Sequence, residues 1–191
     1  VLIPRPETEE LVHWISETEF GSGFSALDVG TGSGCIALAM KKLFPESHVS
    51  AVDYSKETLE TARKNASLNN LEVDFIHADM LKWEEFQWKK FSLIVSNPPY
   101  VRESEKEAMF PNVLNFEPEK ALFVTDSNPL VFYRRIAQFA QKHLMKNGWL
   151  FFEINENQGK ETVEVLEALG FREIVIKNDL FGKERMLRCR K

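Results

Sequence analysis

The sequence predicts an α/β fold, a doubly wound, seven-stranded and mostly parallel sheet with an antiparallel pair at its C-terminal edge. Three observations carry that expectation. Short apolar runs rich in branched and aromatic residues alternate with segments of helical period almost from end to end. A glycine-rich turn, Gly30-Thr31-Gly32-Ser33-Gly34, joins the first such run to a helix. Only the last two strands follow one another with no helix between them, so they are expected to pair antiparallel.

In chain order, residues 1–6 are an extended entry. Pro6-Glu7-Thr8-Glu9-Glu10 opens a helix with acids in the first turn, where they complement the dipole. Leu11, Val12 and Ile15 supply its apolar face, and Gly21-Ser22-Gly23 breaks it. Residues 25–29 are a short buried strand running into the glycine turn. The next helix places Ile36, Ala39, Met40 and Leu43 on one face and stops before Pro45. Residues 48–52 form the second strand, closed by Asp53-Tyr54-Ser55. An amphipathic helix over 56–69 buries Leu59, Ala62 and Ala66. Residues 73–76 form the third strand, with Ala78-Asp79-Met80 at its tip, and a short segment holding Trp83 and Trp88 leads to the fourth.

That fourth strand, Phe91–Val95, stops at Asn97-Pro98-Pro99-Tyr100 because neither proline can donate a ladder hydrogen bond. Residues 101–128 have no clean period and are longer than an ordinary connection, which marks them as functional or as a lid. Helical spacing returns over 129–146 through Tyr133, Ile136, Ala137, Ala140 and Leu144, with Gly148 as a C-cap. Residues 149–154 make the fifth strand, 160–169 a helix closed by Gly170, and 171–177 and 185–189 the final pair.

Composition bounds the function. A chain of 191 residues, 43% hydrophobic and 28% charged, is expected to fold as one domain over 1–191 with a continuous core. No apolar run approaches the roughly 18 residues that span a bilayer, and no signal peptide is visible, so a cytoplasmic location is expected. Cys35 and Cys189 have neither CxxC spacing nor a nearby histidine, and no metal site is suggested. The net charge of −5 weighs against a nucleic-acid partner, which usually meets a basic field. A monomer is expected. His13, His48, His77 and His143 are scattered and read as surface or packing residues, and Lys183, Arg185, Arg188, Arg190 and Lys191 as a solvated face.

In an open α/β sheet, ligands sit at the carboxyl ends of the strands, and each unusual local feature falls at such an end. Gly30, Gly32 and Gly34 let the backbone approach a ligand closely, with Thr31 and Ser33 between them. The spacing is GxGxG rather than GxGxxG, and no GK[ST] follows, so neither a dinucleotide fingerprint nor a P-loop is present. Asp53 suits a ribose, its two oxygens accepting from two hydroxyls. Asp79 can accept from an adenine amino group, with Met80 and Tyr54 covering the ring.

Asn97-Pro98-Pro99-Tyr100 is a stiff corner, since each proline pushes the residue before it into an extended conformation. The Asn97 side-chain oxygen and the Pro98 carbonyl are acceptors held in fixed directions, a match for a planar –NH2 with two hydrogens to donate. Tyr100 adds a flat face against which such a group can lie.

LDVGTGSG, AVDYS, the Asp79 strand end and NPPY resemble the motifs of class I S-adenosylmethionine-dependent methyltransferases that act on nitrogen, proteins with a Rossmann-like sheet. LIPRPETEELV at 2–12, FEPEKALF at 116–123, FYRRI at 132–136 and NDLFGKER at 178–185 are similar to the HemK (PrmC) family. Its members methylate the side-chain N5 of a glutamine, in the GGQ motif of peptide-chain release factors. The resemblance covers essentially the whole chain. It implies S-adenosylmethionine as cofactor, S-adenosylhomocysteine as product, no metal, and a release factor as protein substrate. It implies donor contacts from Gly30, Thr31, Gly32, Ser33, Gly34, Asp53, Tyr54, Asp79, Met80 and Asn97, and substrate contacts from Asn97, Pro98, Pro99 and Tyr100, with Asn97 and Pro98 catalytic.

Two positions depart from the family: Met80 stands where an aromatic or similar residue is usual, which touches adenine packing, and Asn155 where a glycine is usual, which is expected to touch only a loop. The family's N-terminal helical domain, which precedes RPETE, is absent from this sequence, so the catalytic domain alone is expected. The rival reading is an exocyclic-amine methyltransferase of DNA or RNA. Against it, residues 101–128 hold Glu103, Glu105, Glu107, Glu117, Glu119 and Asp126 against Arg102, Lys106 and Lys120, which would repel phosphates. A donor-binding module without catalysis is a third reading, and the intact NPPY argues against it.

Overall fold

The computed structural model describes residues 5–108 and 122–191. In chain order its elements are α1 (Pro6–Ser16), β1 (Ser25–Val29), α2 (Cys35–Leu43), β2 (His48–Asp53), α3 (Lys56–Leu68), β3 (Asp74–His77), β4 (Phe91–Ser96), β5 (Val101–Arg102), β6 (Phe123–Val124), α4 (Val131–His143), β7 (Leu144–Glu153), α5 (Gly159–Ala168), β8 (Arg172–Asn178) and β9 (Glu184–Arg190). Short 3-10 turns span Met80–Glu85 and Glu103–Ala108.

Seven strands form one sheet in the order β3-β2-β1-β4-β7-β9-β8. β1 pairs in parallel with β2 and with β4, β2 with β3, and β4 with β7. β9 is antiparallel to both β7 and β8. The expected class, a mostly parallel sheet with an antiparallel C-terminal edge, is the one observed. β9 inserts between β7 and the edge, so the final strand is interior and β8 takes the rim. The chain builds outward from β1 in one direction and from β4 in the other, so the switch in strand order lies between β1 and β4.

The central strands are continuous apolar runs because both of their faces are covered. Neighbouring residues feed opposite cores, as the period of two requires. Phe152 and Ile94 pack with Phe139, Tyr133 and Trp83 beneath α4, while Phe151 and Leu93 pack with Leu11, Trp14 and Met40 beneath α1 and α2. Each fully buried Phe or Leu contributes about 1.5–3 kcal/mol, so these two layers outweigh any surface ion pair in holding the sheet.

Most helices bury the faces their periods indicate. Ser55 caps α3 by accepting from the Thr58 N–H, and Leu59, Ala62 and Ala66 are its buried residues. α1 buries Leu11 and Ile15 as expected, but also Thr8 and Trp14, while Val12 is only half-buried. α2 buries Ile36, Ala37, Leu38 and Met40, whereas Leu43 is half exposed in the last turn. Its stripe is turned one position from the expected one because α1 packs across it.

Two other expectations need correction. The helix predicted to run to residue 146 ends at His143, because Leu144 already pairs with Phe91 on β4. Trp149 pairs with Leu93, so the residues between form a bulge, and Gly148 lies in it rather than capping a helix. A Cβ at Gly148 would stand 3.0 Å from Leu144 Cδ2 and 3.1 Å from the Ser92 carbonyl, so glycine is there to permit a close approach.

The C-terminal basic cluster is not simply a solvated face. Arg188 lies over the rings of Trp14 and Trp149, at 4.8 Å and 5.1 Å from their centroids, and Arg190 over Trp149 at 5.0 Å. Arg185 donates to Asp179 and to the Ile154 carbonyl, and Lys183 pairs with Glu156. These cations are spent on internal contacts.

Of the stretch 101–128, residues 101–108 and 122–128 are described. Val101 and Arg102 pair in parallel with Phe123 and Val124, and Glu105 accepts from the Arg102 N–H. Lys106 lies over the Phe123 ring. Glu117, Glu119 and Lys120, which entered the charge count above, lie outside the described residues.

Candidate functional site

At the carboxyl ends of β1, β2 and β4 a cleft opens, with the tip after β3 and the first two turns of α4 closing its sides. Of the residues singled out in the sequence, Gly30, Gly32, Asp53, Tyr54, Asp79, Met80, Asn97, Pro98 and Pro99 all line it. The turn after β1 wraps back onto β2: the N–H groups of Gly30 and Thr31 both donate to the Val52 carbonyl. Gly30 has φ +72°, and nothing stands within 4 Å of where its Cβ would be. A side chain there would be strained and would project into space that the cleft keeps clear.

Asp53 is buried at the end of β2. Its Oδ2 accepts from the Gly32 N–H at 3.0 Å and its Oδ1 from the Ser55 N–H at 3.0 Å. A carboxylate has about four acceptor sites, so each oxygen keeps capacity for a ligand hydroxyl. Burial raises its pKa, against which the backbone N–H groups and His77 act. His77 itself bonds the Tyr54 carbonyl, 2.9 Å away, a packing role.

Asp79 is half-buried, lines the cleft and works as a cap, its Oδ1 accepting from the Leu81 N–H at 2.9 Å. Met80 is buried and Tyr54 half exposed at the mouth.

Not every expected residue reaches the cleft. Thr31 donates its hydroxyl to Asp28 Oδ2 at 2.6 Å, and Ser33 contacts Cys35 Sγ and accepts from Asn65 at its carbonyl. Gly34 has φ +87° and a Cβ there would stand 3.2 Å from Ala62 Cβ, so it allows α2 and α3 to approach. These three shape the turn from behind. Tyr100 also turns away from the cleft: its hydroxyl donates to Glu153 Oε1 at 2.9 Å. Burial and the nearby Glu153 charge push its pKa well up. It braces the corner from below.

Several contributors were missed in the sequence. Phe132 and Ile136, four apart on α4, give the cleft an apolar wall. Asn155, expected to touch only a loop, is buried and donates to the Tyr100 carbonyl and to Glu105 Oε2, both at 3.1 Å. It ties the corner to the segment that follows. The Asn97 amide donates from Nδ2 to Thr8 Oγ1 at 3.2 Å, and Thr8 in turn donates to Glu153 Oε2 at 2.7 Å.

Beneath the glycine turn sits Asp28, fully buried. Its Oδ2 accepts from Thr31 and from the Ala37 N–H at 3.2 Å, and Oδ1 has no protein partner. Burial pushes its pKa up to about 7, with the hydrogen bonds lowering it and Asp53 raising it. Folding therefore favours proton uptake: the native state binds more protons than the unfolded chain between pH about 4 and 7. Stability should fall as pH rises through that window and level off above it. A rise from 3.8 to about 7 corresponds to about 4 kcal/mol. Urea melts of Asp28→Asn against the parent at pH 5 and pH 8 test this, with the variant expected to lose most of the difference.

The cleft's donor set fits an adenosyl ligand that carries positive charge. Flat apolar cover, a free approach at Gly30 and spare carboxylate acceptors suit an adenine and a ribose. Its charged lining residues are two acids, Asp53 and Asp79, with no base among the described residues that line it, which disfavours a pyrophosphate. Among the described residues, no group of three or more His, Cys, Asp or Glu is placed to hold a metal. Likewise no described helix is long and apolar enough to cross a membrane. Both cysteines are free thiols.

A mostly parallel sheet with this strand order, and a cleft of this kind at its switch point, fit a methyltransferase, and comparison with known proteins shows that class. The family model described as "Methyltransferase small domain" matches residues 7–122. A methyltransferase crystal structure from Pyrococcus furiosus superposes with a TM-score of 0.68, covering 94% of this chain and 81% of that one at 22% identity, which bears on the fold alone. Within that class, the chain belongs to the release factor glutamine methyltransferase family. A member from Flavobacterium psychrophilum is 48% identical over 98% of this chain and 67% of its own length. One from Bacteroides thetaiotaomicron is 46% identical over 98% and 67%.

Proposed function

We propose that the protein transfers a methyl group from S-adenosylmethionine to the side-chain N5 of a glutamine in a peptide-chain release factor, within its GGQ motif. The observation that carries this reading is the Asn97 amide: its nitrogen is engaged by Thr8, so its oxygen is the group left to meet a substrate –NH2 beside the donor cleft. The family's name supplies the substrate class.

When bound, S-adenosylmethionine supplies an electrophilic methyl carried on a sulfonium. Asp53 holds the ribose hydroxyls on its spare lone pairs, and Met80, Phe132 and Ile136 bracket the adenine. Asp79 accepts from the adenine amino group through the oxygen its capping role does not use. Thr31, Ser33 and Gly34 act one step back, by holding the turn in shape.

An amide nitrogen is a poor nucleophile because its lone pair is delocalised into the carbonyl. Asn97 Oδ1 and the Pro98 carbonyl accept from the two N–H groups of the glutamine, fix its plane and favour charge building on nitrogen. Pro98 and Pro99 hold that pair of acceptors rigid, and Tyr100 braces them through Glu153. The residues would thus hold the glutamine nitrogen facing the donor's methyl group, and positioning with electrostatics would do most of the work. No dedicated base is assigned, since the amide proton becomes acidic once nitrogen is alkylated.

The test is to incubate the protein with labelled methyl donor and, separately, a release factor and nucleic acid. Label is expected on one glutamine of the release factor, located by mass spectrometry. Label in DNA or RNA with none in protein would overturn the substrate assignment in favour of an exocyclic-amine methyltransferase.

A further inference from the structure

Three side chains from distant parts of the chain form one directed line of hydrogen bonds behind the candidate substrate corner. Thr8 lies on the first turn of α1, Glu153 ends β7, and Asn97 follows β4. Thr8 and Glu153 are both buried. A hydroxyl has a single hydrogen, and an ionised carboxylate can only accept. Because Thr8 donates to Glu153 Oε2 at 2.7 Å, only its lone pairs remain for Asn97, and Asn97 must turn its –NH2 toward Thr8. The second carboxylate oxygen is occupied in the same sense, by the Tyr100 hydroxyl at 2.9 Å. Burial raises the Glu153 pKa, against which the hydrogen bonds from Thr8 and Tyr100 and the Arg185 charge act. With the carboxylate ionised, the polarity of the whole line is set at Glu153.

We infer that Thr8, oriented by the Glu153 carboxylate, is a positioning residue that sets which end of the Asn97 amide faces the substrate. This rests on the reading of Asn97 given above. An amide is nearly symmetric in shape, so packing alone distinguishes its two ends poorly, and hydrogen-bond polarity must decide. With the line reversed, the Asn97 –NH2 would face the substrate –NH2, donor against donor, and the acceptor pair would be lost.

Glu153→Gln is the informative reversal. Tyr100 needs an acceptor and takes the new Oε1, which leaves the new –NH2 to donate to Thr8. The Thr8 hydrogen then turns toward Asn97 and favours the flipped amide.

The experiment measures kcat and KM for the release factor, and Kd for S-adenosylmethionine, in the parent protein, Thr8→Val, Thr8→Ser, Glu153→Gln and the Thr8→Val/Glu153→Gln double variant. Thr8→Val keeps the shape and loses the hydroxyl, and should lower kcat about 10–100-fold, the range expected when a partly buried donor loses its partner. Thr8→Ser should stay within about threefold of the parent, and donor Kd should hold throughout. Glu153→Gln should fall as Thr8→Val does, and the double variant no further than the worse single one, because the residues act as a unit. An unchanged kcat in Thr8→Val, an equal loss in Thr8→Ser, or losses that multiply in the double variant would each overturn the inference alone. A parent protein that methylates no release factor would overturn the functional reading and this inference with it.

Discussion

Asn97→Ala is expected to bind S-adenosylmethionine as the parent does and to transfer its methyl about 10²–10³-fold more slowly, the usual cost of removing one preorganised polar group that matters most in the transition state. The substitution removes the acceptor that fixes the substrate amide and also leaves Thr8 without its donor. It leaves Asp53, Gly30 and the apolar wall of Met80, Phe132 and Ile136 as they are, so donor affinity has no reason to collapse. Single-turnover transfer to a release factor, with donor binding by calorimetry, separates the two effects. Near-parental transfer would remove Asn97 from the mechanism.

Asp53→Ala should give the opposite split. Two hydrogen bonds to a charged group, at about 1.5–3 kcal/mol each, are lost with the ribose, so donor Kd is expected to weaken at least about 100-fold. Asp53 also holds the Gly32 and Ser55 N–H groups, and part of the loss will come from the loosened turn. Asp53→Asn, which keeps one acceptor, should fall between the two. Donor binding by Asp53→Ala within threefold of the parent would show that the ribose is held elsewhere.

The part of the site legible in the sequence is the part written locally. A glycine turn after a strand, an acid closing the next strand and a proline pair stopping another are each visible within a few residues. The topology then brings them together, because parallel strands that share a direction put their carboxyl ends on one rim. What stayed hidden is long-range. Thr8 reaches Glu153 across 145 positions and Asn97 across 89, and no local pattern announces such a contact. Phe132 was hidden differently: the helical period marked Tyr133, Ile136 and Ala137 as a core stripe, and the cleft wall begins one step around the same helix. The role of Gly148 is not legible locally, because a glycine after a helical stretch looks alike whether it caps the helix or admits a neighbouring strand. The role of Asn155 is hidden for a similar reason, since a polar side chain in a turn gives no sign that it will be buried and will tie two segments.

The two layers flanking the sheet each carry their own pair of tryptophans. Trp14 and Trp149 belong to the face beneath α1, beside the Arg188 guanidinium, and Trp83 and Trp88 to the face beneath α4. Intrinsic fluorescence therefore resolves this molecule by side: with one pair replaced by phenylalanine, the emission of the other follows the melting of its own face during denaturation.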